Sequence, residues 1–203
     1  MAHVQERSHA NGPGCRAVVW FRGCEFRCPG CANQDLWPRE PCSWVSPGEL
    51  FSRLAGIEEI EGVTLTGGEP LLQGDGLVEL LELLGGVDLS VVCFTGFEWE
   101  EIPTKLRDVL EKRVDVLVAG RFVRELSQDP GPLRGSSNQR VIFLSSRYSP
   151  EDLEGGPQVE VVLSGDGSHV TGFPPPDLVR EITDCLLEGE NCPSKERIEG
   201  GKG

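Results

Sequence analysis

Residues 15–31 read CRAVVWFRGCEFRCPGC. The stretch opens as an apolar, β-branched run over 15–21 and passes directly into a loop carrying Cys24, Cys28 and Cys31. The first part predicts a strand, because branched and aromatic side chains suit a pleated, buried surface. The second part places three thiols within eight residues, at the spacing C-x3-C-x2-C.

Further along, the same rhythm repeats. Residues 62–66 (GVTLT) predict a second strand ending at Gly67-Gly68-Glu69-Pro70, residues 89–95 (LSVVCFT) a third and residues 114–118 a fourth. Helices are predicted between them. The first starts at Ser46-Pro47-Gly48-Glu49, where Ser46 suits the N-cap, Pro47 the first helical position and Glu49 the return bond of a capping box. The second is the leucine-rich run 77–84. The third lies within 99–113, its start delayed to about Pro103. Strands alternating with helices predict βαβ units and a mostly parallel sheet. Four units make an open sheet or partial barrel, too few for a complete eight-fold barrel.

After Gly120 the rhythm stops. Residues 121–139 are polar and rich in Gly, Pro and Ser, which predicts a long loop, and 140–144 predict one more strand. Residues 159–163 and 169–172 flank Gly165-Asp166-Gly167, a hairpin turn, and Pro174-Pro175-Pro176 leads into a helix at about 177–187. The expected layout is a disordered tail over 1–11, a core over 12–145, an extension over 146–188 and a flexible tail over 189–203.

The chain has 203 residues and a formal net charge of −14. That charge argues against nucleic acid and anionic membranes as partners, since both reward a positive surface. No run approaches the roughly 20 apolar residues of a membrane-spanning helix. The first eleven residues lack the apolar stretch of a secretory signal, so the expectation is a cytoplasmic protein. In a reducing compartment, crowded cysteines point to metal rather than disulfides.

Three thiolates on one loop can hold three irons of a four-iron cluster and leave the fourth open to an outside ligand. The same triplet also suits a zinc knuckle, with Cys42, Cys15 or His9 as a fourth ligand. Of the other cysteines, Cys93 and Cys15 read as strand residues, and Cys42, Cys185 and Cys192 lack ligand spacing.

Cys24, Cys28 and Cys31, followed one unit later by Gly67-Gly68-Glu69, resemble the signature motifs of the radical S-adenosylmethionine (SAM) superfamily. Residues 11–16 (NGPGCR), 22–33, 94–97 (FTGF), 115–122 (DVLVAGRF) and 133–140 (LRGSSNQR) are similar to the anaerobic ribonucleotide reductase activating proteins. The resemblance implies a partial (β/α) barrel of the radical SAM type, with a C-terminal hairpin and helix extension. It implies a [4Fe-4S] cluster on the three cysteines and SAM as second cofactor. Gly30, Ala32, Gly67, Gly68, Glu69 and Thr95 would contact SAM, with Glu69 receiving the methionine ammonium. Arg134, Asn138, Gln139 and Arg140 would line the substrate side. The implied reaction is reductive cleavage of SAM to a 5′-deoxyadenosyl radical that activates a glycyl-radical enzyme, with a flavodoxin or ferredoxin as electron donor. Two other readings stay open: a radical SAM enzyme acting on a small molecule or peptide, and a non-catalytic metal-binding module. One departure is visible: Ala119 stands where such proteins often carry Asp.

Overall fold

The computed structural model describes residues 3–40, 43–156, 159–164 and 167–173. Among the described residues there are eight strands and three α-helices, the helices following β2, β3 and β4. The strands are β1 (His3–Ser8), β2 (Arg16–Phe21), β3 (Gly62–Gly67), β4 (Ser90–Thr95), β5 (Val116–Ala119), β6 (Arg140–Phe143), β7 (Val159–Ser164) and β8 (Gly167–Gly172). The helices are α1 (Pro47–Ala55), α2 (Asp75–Leu84) and α3 (Thr104–Arg113).

β1 to β6 form one sheet in sequence order. β2, β3, β4 and β5 are parallel, and the antiparallel strands β1 and β6 flank them. The sheet is mixed and mostly parallel, and it does not close on itself. The four predicted strands are the parallel centre. Each is largely buried on both faces, and β2, β4 and β5 read as near-continuous apolar runs, whereas β3 (GVTLTG) alternates Val and Leu with Thr.

The two faces divide by residue parity. Ala17, Val19 and Phe21 of β2, Val63 and Leu65 of β3, Val91 and Cys93 of β4 and Leu117 of β5 share one core with the helices. The helices contribute Leu50 and Leu54 from α1, Leu77, Leu80, Leu81 and Leu84 from α2 and Leu110 from α3. The α2 leucines recur at helical spacing and form one stripe. Fully burying each such side chain is worth about 1.5–3 kcal/mol, which fastens the helix to the sheet. Among the described residues, none of the three α-helices contributes to the opposite face. It presents Arg16, Val18 and Trp20, then Thr64 and Thr66, then Val92 and Phe94, then Val116 and Val118.

The start of α1 follows the expected capping box. The Glu49 amide donates to Ser46 Oγ at 3.3 Å, and Glu49 Oε2 accepts from the Ser46 amide at 3.0 Å. Pro103 sits at the cap of α3, as its missing amide requires.

One expectation is corrected. Residues 3–8 are a strand, not a disordered tail: His3 pairs with Trp20 and Val4 with Val19. The segment is polar and short, so its own propensity is weak, and pairing with the edge of β2 supplies the order. The hairpin predicted around Gly165 is present as β7 and β8. Its turn residues Gly165 and Asp166, Cys42, Cys185, Cys192 and the helix expected at 177–187 lie outside the described residues. Residues 3–173 belong to one compact unit. Among the described residues, no helix is long and apolar enough to cross a membrane.

Candidate functional site

The carboxyl ends of β2, β3, β4 and β5 lie side by side, and the loops leaving them touch one another. The loop after β2 carries Cys24, Cys28 and Cys31. Its base is closed by backbone bonds from Gly23 N to Leu36 O (2.9 Å) and from Cys24 N to Trp37 O (3.0 Å). A turn from Cys31 N to Cys28 O (3.1 Å) folds its tip. All three cysteines are half-buried, whereas Gly30 and Ala32 are exposed beside them.

The Gly-Gly-Glu-Pro segment after β3 is bonded directly to this loop. Gly68 N donates to Phe21 O at 2.9 Å, and Glu69 N donates to Gly23 O at 2.8 Å. The two glycines are required by this approach. Gly67 has φ +103°, and a Cβ there would lie 2.5 Å from Phe21 N; a Cβ on Gly68 would lie 2.6 Å from Gly23 O. The neighbour that the missing side chains admit is therefore the protein's own backbone at the entry to the cysteine loop. Asn33, beyond the last cysteine, donates from Nδ2 to Gly67 O at 3.5 Å.

Glu69 is 1% exposed. Its Oε1 accepts from Leu71 N (2.9 Å) and Thr95 Oγ1 (2.8 Å), and its Oε2 accepts from Gly96 N (2.8 Å). Burial pushes its carboxyl above the usual carboxylate range, and the Gly96, Leu71 and Thr95 donors oppose that rise. Both oxygens thus tie the end of β3 to the end of β4. Thr95, expected near SAM, is 4% exposed and engaged with Glu69.

Phe26, inside the cysteine loop, fixes that loop to the remaining strand ends. Its ring meets Phe97 edge-on at 4.8 Å, and the Arg121 guanidinium lies over it at 4.6 Å. A Cβ on Gly96 would reach 2.5 Å from Phe26 Cδ2, so this glycine opens the seat for the ring. Sequence reading did not single out this stack; an aromatic residue between two ligand cysteines was its one available signal.

The loop over 121–139 is held by its own side chains. Gln139 Oε1 accepts from Gly135 N (2.8 Å) and Ser136 N (3.2 Å), while its Nε2 donates to Gly120 O (2.9 Å). Asn138 Nδ2 donates to Arg121 O at 2.9 Å. Arg140 pairs with Glu100 at 3.0 Å on the surface. Arg134 and these three residues border a cavity of about 760 Å³ along the outer edge of β6. Asn138 and Gln139 therefore organise the loop, and the four expected substrate-side residues lie by the β6 edge.

The donor set fits an iron–sulfur cluster. Burial is the main cause raising the Cys24 and Cys31 thiols above the ordinary cysteine value, and a neighbouring Cys28 thiolate adds to it. Backbone amides of Phe26 and Arg27 toward Cys24, and of Asn33 toward Cys31 at 3.4 Å, favour the thiolate forms. Cys24 and Cys31, each repelled by a Cys28 thiolate and each accepting N–H groups, are matched by a cluster whose irons carry positive charge. Among the described residues, no three Cys, His, Asp or Glu side chains gather around a single ion.

Comparison with known proteins agrees. The family described as a 4Fe-4S single cluster domain matches residues 10–142. The chain belongs to this family. The single-cluster domain spans β2 to most of β6, with all three cysteines and Gly67-Gly68-Glu69 inside it. Among its relatives is the anaerobic ribonucleoside-triphosphate reductase-activating protein of Enterobacteria phage T4. That protein is 34% identical over 139 residues, covering 64% of this chain and 85% of the relative. The Escherichia coli K12 protein of the same description is 32% identical over 152 residues, covering 66% and 92%. The pyruvate formate-lyase-activating enzyme of Clostridium pasteurianum is 35% identical over 85 residues, covering 39% and 36%.

Proposed function

We propose that this chain is a radical SAM activase that generates a glycyl radical on a partner enzyme, an anaerobic ribonucleotide reductase. One observation carries the reading: the Gly-Gly-Glu segment is hydrogen-bonded to the entry of the cysteine loop, Gly68 to Phe21 and Glu69 to Gly23. The two motifs form one structure at one end of the sheet. The relatives named as reductase-activating proteins supply the partner class.

Cys24, Cys28 and Cys31 would hold three irons of a [4Fe-4S] cluster. When bound, such a cluster offers an open iron to SAM and supplies the electron for its cleavage to methionine and a 5′-deoxyadenosyl radical. The protein's own part is positional. Phe26, wedged between Phe97 and Arg121, sets the height of the loop above the strand ends. Gly67 and Gly68 give the β3 end its close approach to that loop. Exposed Gly30 and Ala32 offer backbone groups beside the last ligand for adenine. Glu69 acts by bracing the β3 and β4 ends rather than by direct reach, since its oxygens serve three protein donors. Ala119, 0% exposed, brings no carboxylate to the end of β5.

The open, mostly parallel sheet is read as the partial barrel of radical SAM proteins. The core is assigned to 12–145, an extension to 146–188 and a tail to 189–203. A flavodoxin or ferredoxin would donate the electron in the cytoplasm.

The test is anaerobic reconstitution with iron and sulfide, then reduction with SAM, alone and with a candidate reductase. The expected outcome is 5′-deoxyadenosine together with a glycyl-radical signal on the reductase. 5′-Deoxyadenosine without that signal would favour a small-molecule or peptide substrate. Colourless protein holding stoichiometric zinc would leave only the non-catalytic module.

A further inference from the structure

Two residues past the last cysteine the chain turns back on itself. Leu36 N donates to Asn33 O at 3.1 Å and Trp37 N to Gln34 O at 3.2 Å, so residues 33–37 make one tight turn. Leu36 is buried and anchors that turn, while Trp37 is half-buried at its end.

The turn brings Trp37 against both outer members of the ligand set. Its carbonyl accepts from Cys24 N at 3.0 Å, next to the bond from Gly23 N to Leu36 O at 2.9 Å. At Cys31, burial raises the thiol, and two donors oppose that rise by bonding to its sulfur: the Asn33 amide at 3.4 Å and the indole N–H of Trp37. That N–H is the one donor on the tryptophan side chain. A half-buried indole has its N–H free to serve water or a carbonyl. Here it serves a sulfur of the cysteine triplet, six residues back along the chain. One residue outside the motif thus bridges the first cysteine and the last.

We infer that Trp37 is a positioning residue for the cluster: its carbonyl fixes Cys24, its indole N–H fixes Cys31, and that N–H sets how readily the cluster accepts its electron. The inference rests on the activase reading, and it adds a residue that governs the reductive step at the same site. The physical reason is charge. One-electron reduction places more negative charge on the cluster and its cysteine sulfurs. A hydrogen bond to such a sulfur is stronger in the reduced state, so it raises the reduction potential. The electron comes from the external one-electron donor. No bond is made or broken at Trp37, and its proton stays on the indole nitrogen.

The test uses the full chain reconstituted anaerobically with iron and sulfide. Position 37 carries either Phe or the tryptophan analogue benzothienylalanine, which keeps the fused-ring shape and has sulfur in place of the N–H. The readouts are iron and sulfide per chain, and the midpoint potential from a redox titration followed by electron paramagnetic resonance. The analogue is expected to load as wild type does and to disfavour the reduced form about tenfold, which for one electron is about 59 mV downward. Trp37→Phe is expected to shift the potential in the same direction and also to load less, because its smaller ring packs the turn less fully. A change in packing alone would lower loading and leave the potential where it was. If both variants load and keep the wild-type potential, or if the potential rises, the inference is wrong and the activase reading stands. If wild type itself takes up no four-iron cluster, both fall.

Discussion

At the scale of single residues, the cysteines and Glu69 do different kinds of work. Each cysteine would carry one iron, so the loss of any one should remove the cluster as a unit. Cys28→Ala is expected to abolish the absorbance of the reconstituted cluster and SAM cleavage together. Retention of cleavage at the wild-type rate would exclude Cys28 as a ligand. Glu69 is buried and serves three donors, two of them backbone amides. Glu69→Ala leaves these donors unsatisfied, which is expected to lower stability by about 2–4 kcal/mol in urea unfolding. The effect depends on pH. The folded carboxyl is raised above its ordinary value of 4.5, so between that value and its folded one the native state holds a proton that the unfolded chain has lost. Wild-type stability from this group therefore falls as pH rises through that window. The alanine variant has no such loss, so the gap between the two is expected to narrow with rising pH. A gap that widens would mean that the ionised form is the favoured one.

At the scale of elements, the four parallel strands were legible because they are short runs rich in Val, Leu, Phe and Thr, near-continuously apolar in β2, β4 and β5 and alternating Val and Leu with Thr in β3. The first helix start was legible because capping is local chemistry between Ser46 and Glu49. β1 was not, because its order comes from pairing with β2, and nothing in HVQERS announces a partner. The site divides in the same way. Ligand spacing marks the cysteine loop, whereas the bracing by Glu69, the Phe26 stack and the self-bonded loop of Gln139 depend on residues distant in sequence. Arg16 is a further case. It reads as the polar start of a strand, yet it is 0% exposed. Its guanidinium donates to Thr64 Oγ1, Val63 O, Ser90 O, Ser90 Oγ and Pro13 O at 2.9–3.0 Å. One side chain thus ties β2 to β3 and β4 near their starts, on the end of the sheet away from the cysteines. Arg16→Met would leave several buried acceptors empty. It is expected to cost about 3 kcal/mol or more in urea unfolding, while iron and sulfide incorporation per folded molecule stays at the wild-type level. A loss below about 1 kcal/mol would show that the network adds little.

At the scale of the whole molecule, the fold stores its stability in one region and its chemistry in another. The core is sheet and helices, with Leu54, Leu65, Leu81 and Leu117 fully buried. The cysteine loop stands outside that core, joined to it by a few backbone bonds, the Phe26 stack and Asn33. A group that binds only the folded chain stabilises it by mass action, and the gain appears first where binding orders the chain. Loading the cluster is therefore expected to raise the melting temperature. It should also slow amide exchange in the segment 22–37 and in Gly68, Glu69 and Gly96, which are bonded or packed against it. The helices α1 to α3 and the amides of β4 should exchange as before, because their bonds are already complete. Iron chelation should reverse the change in the same segments and nowhere else. Protection spread evenly over the sheet would mean that the cluster completes the core rather than resting on it. Unaltered exchange over 22–37 would mean that the metal is held elsewhere.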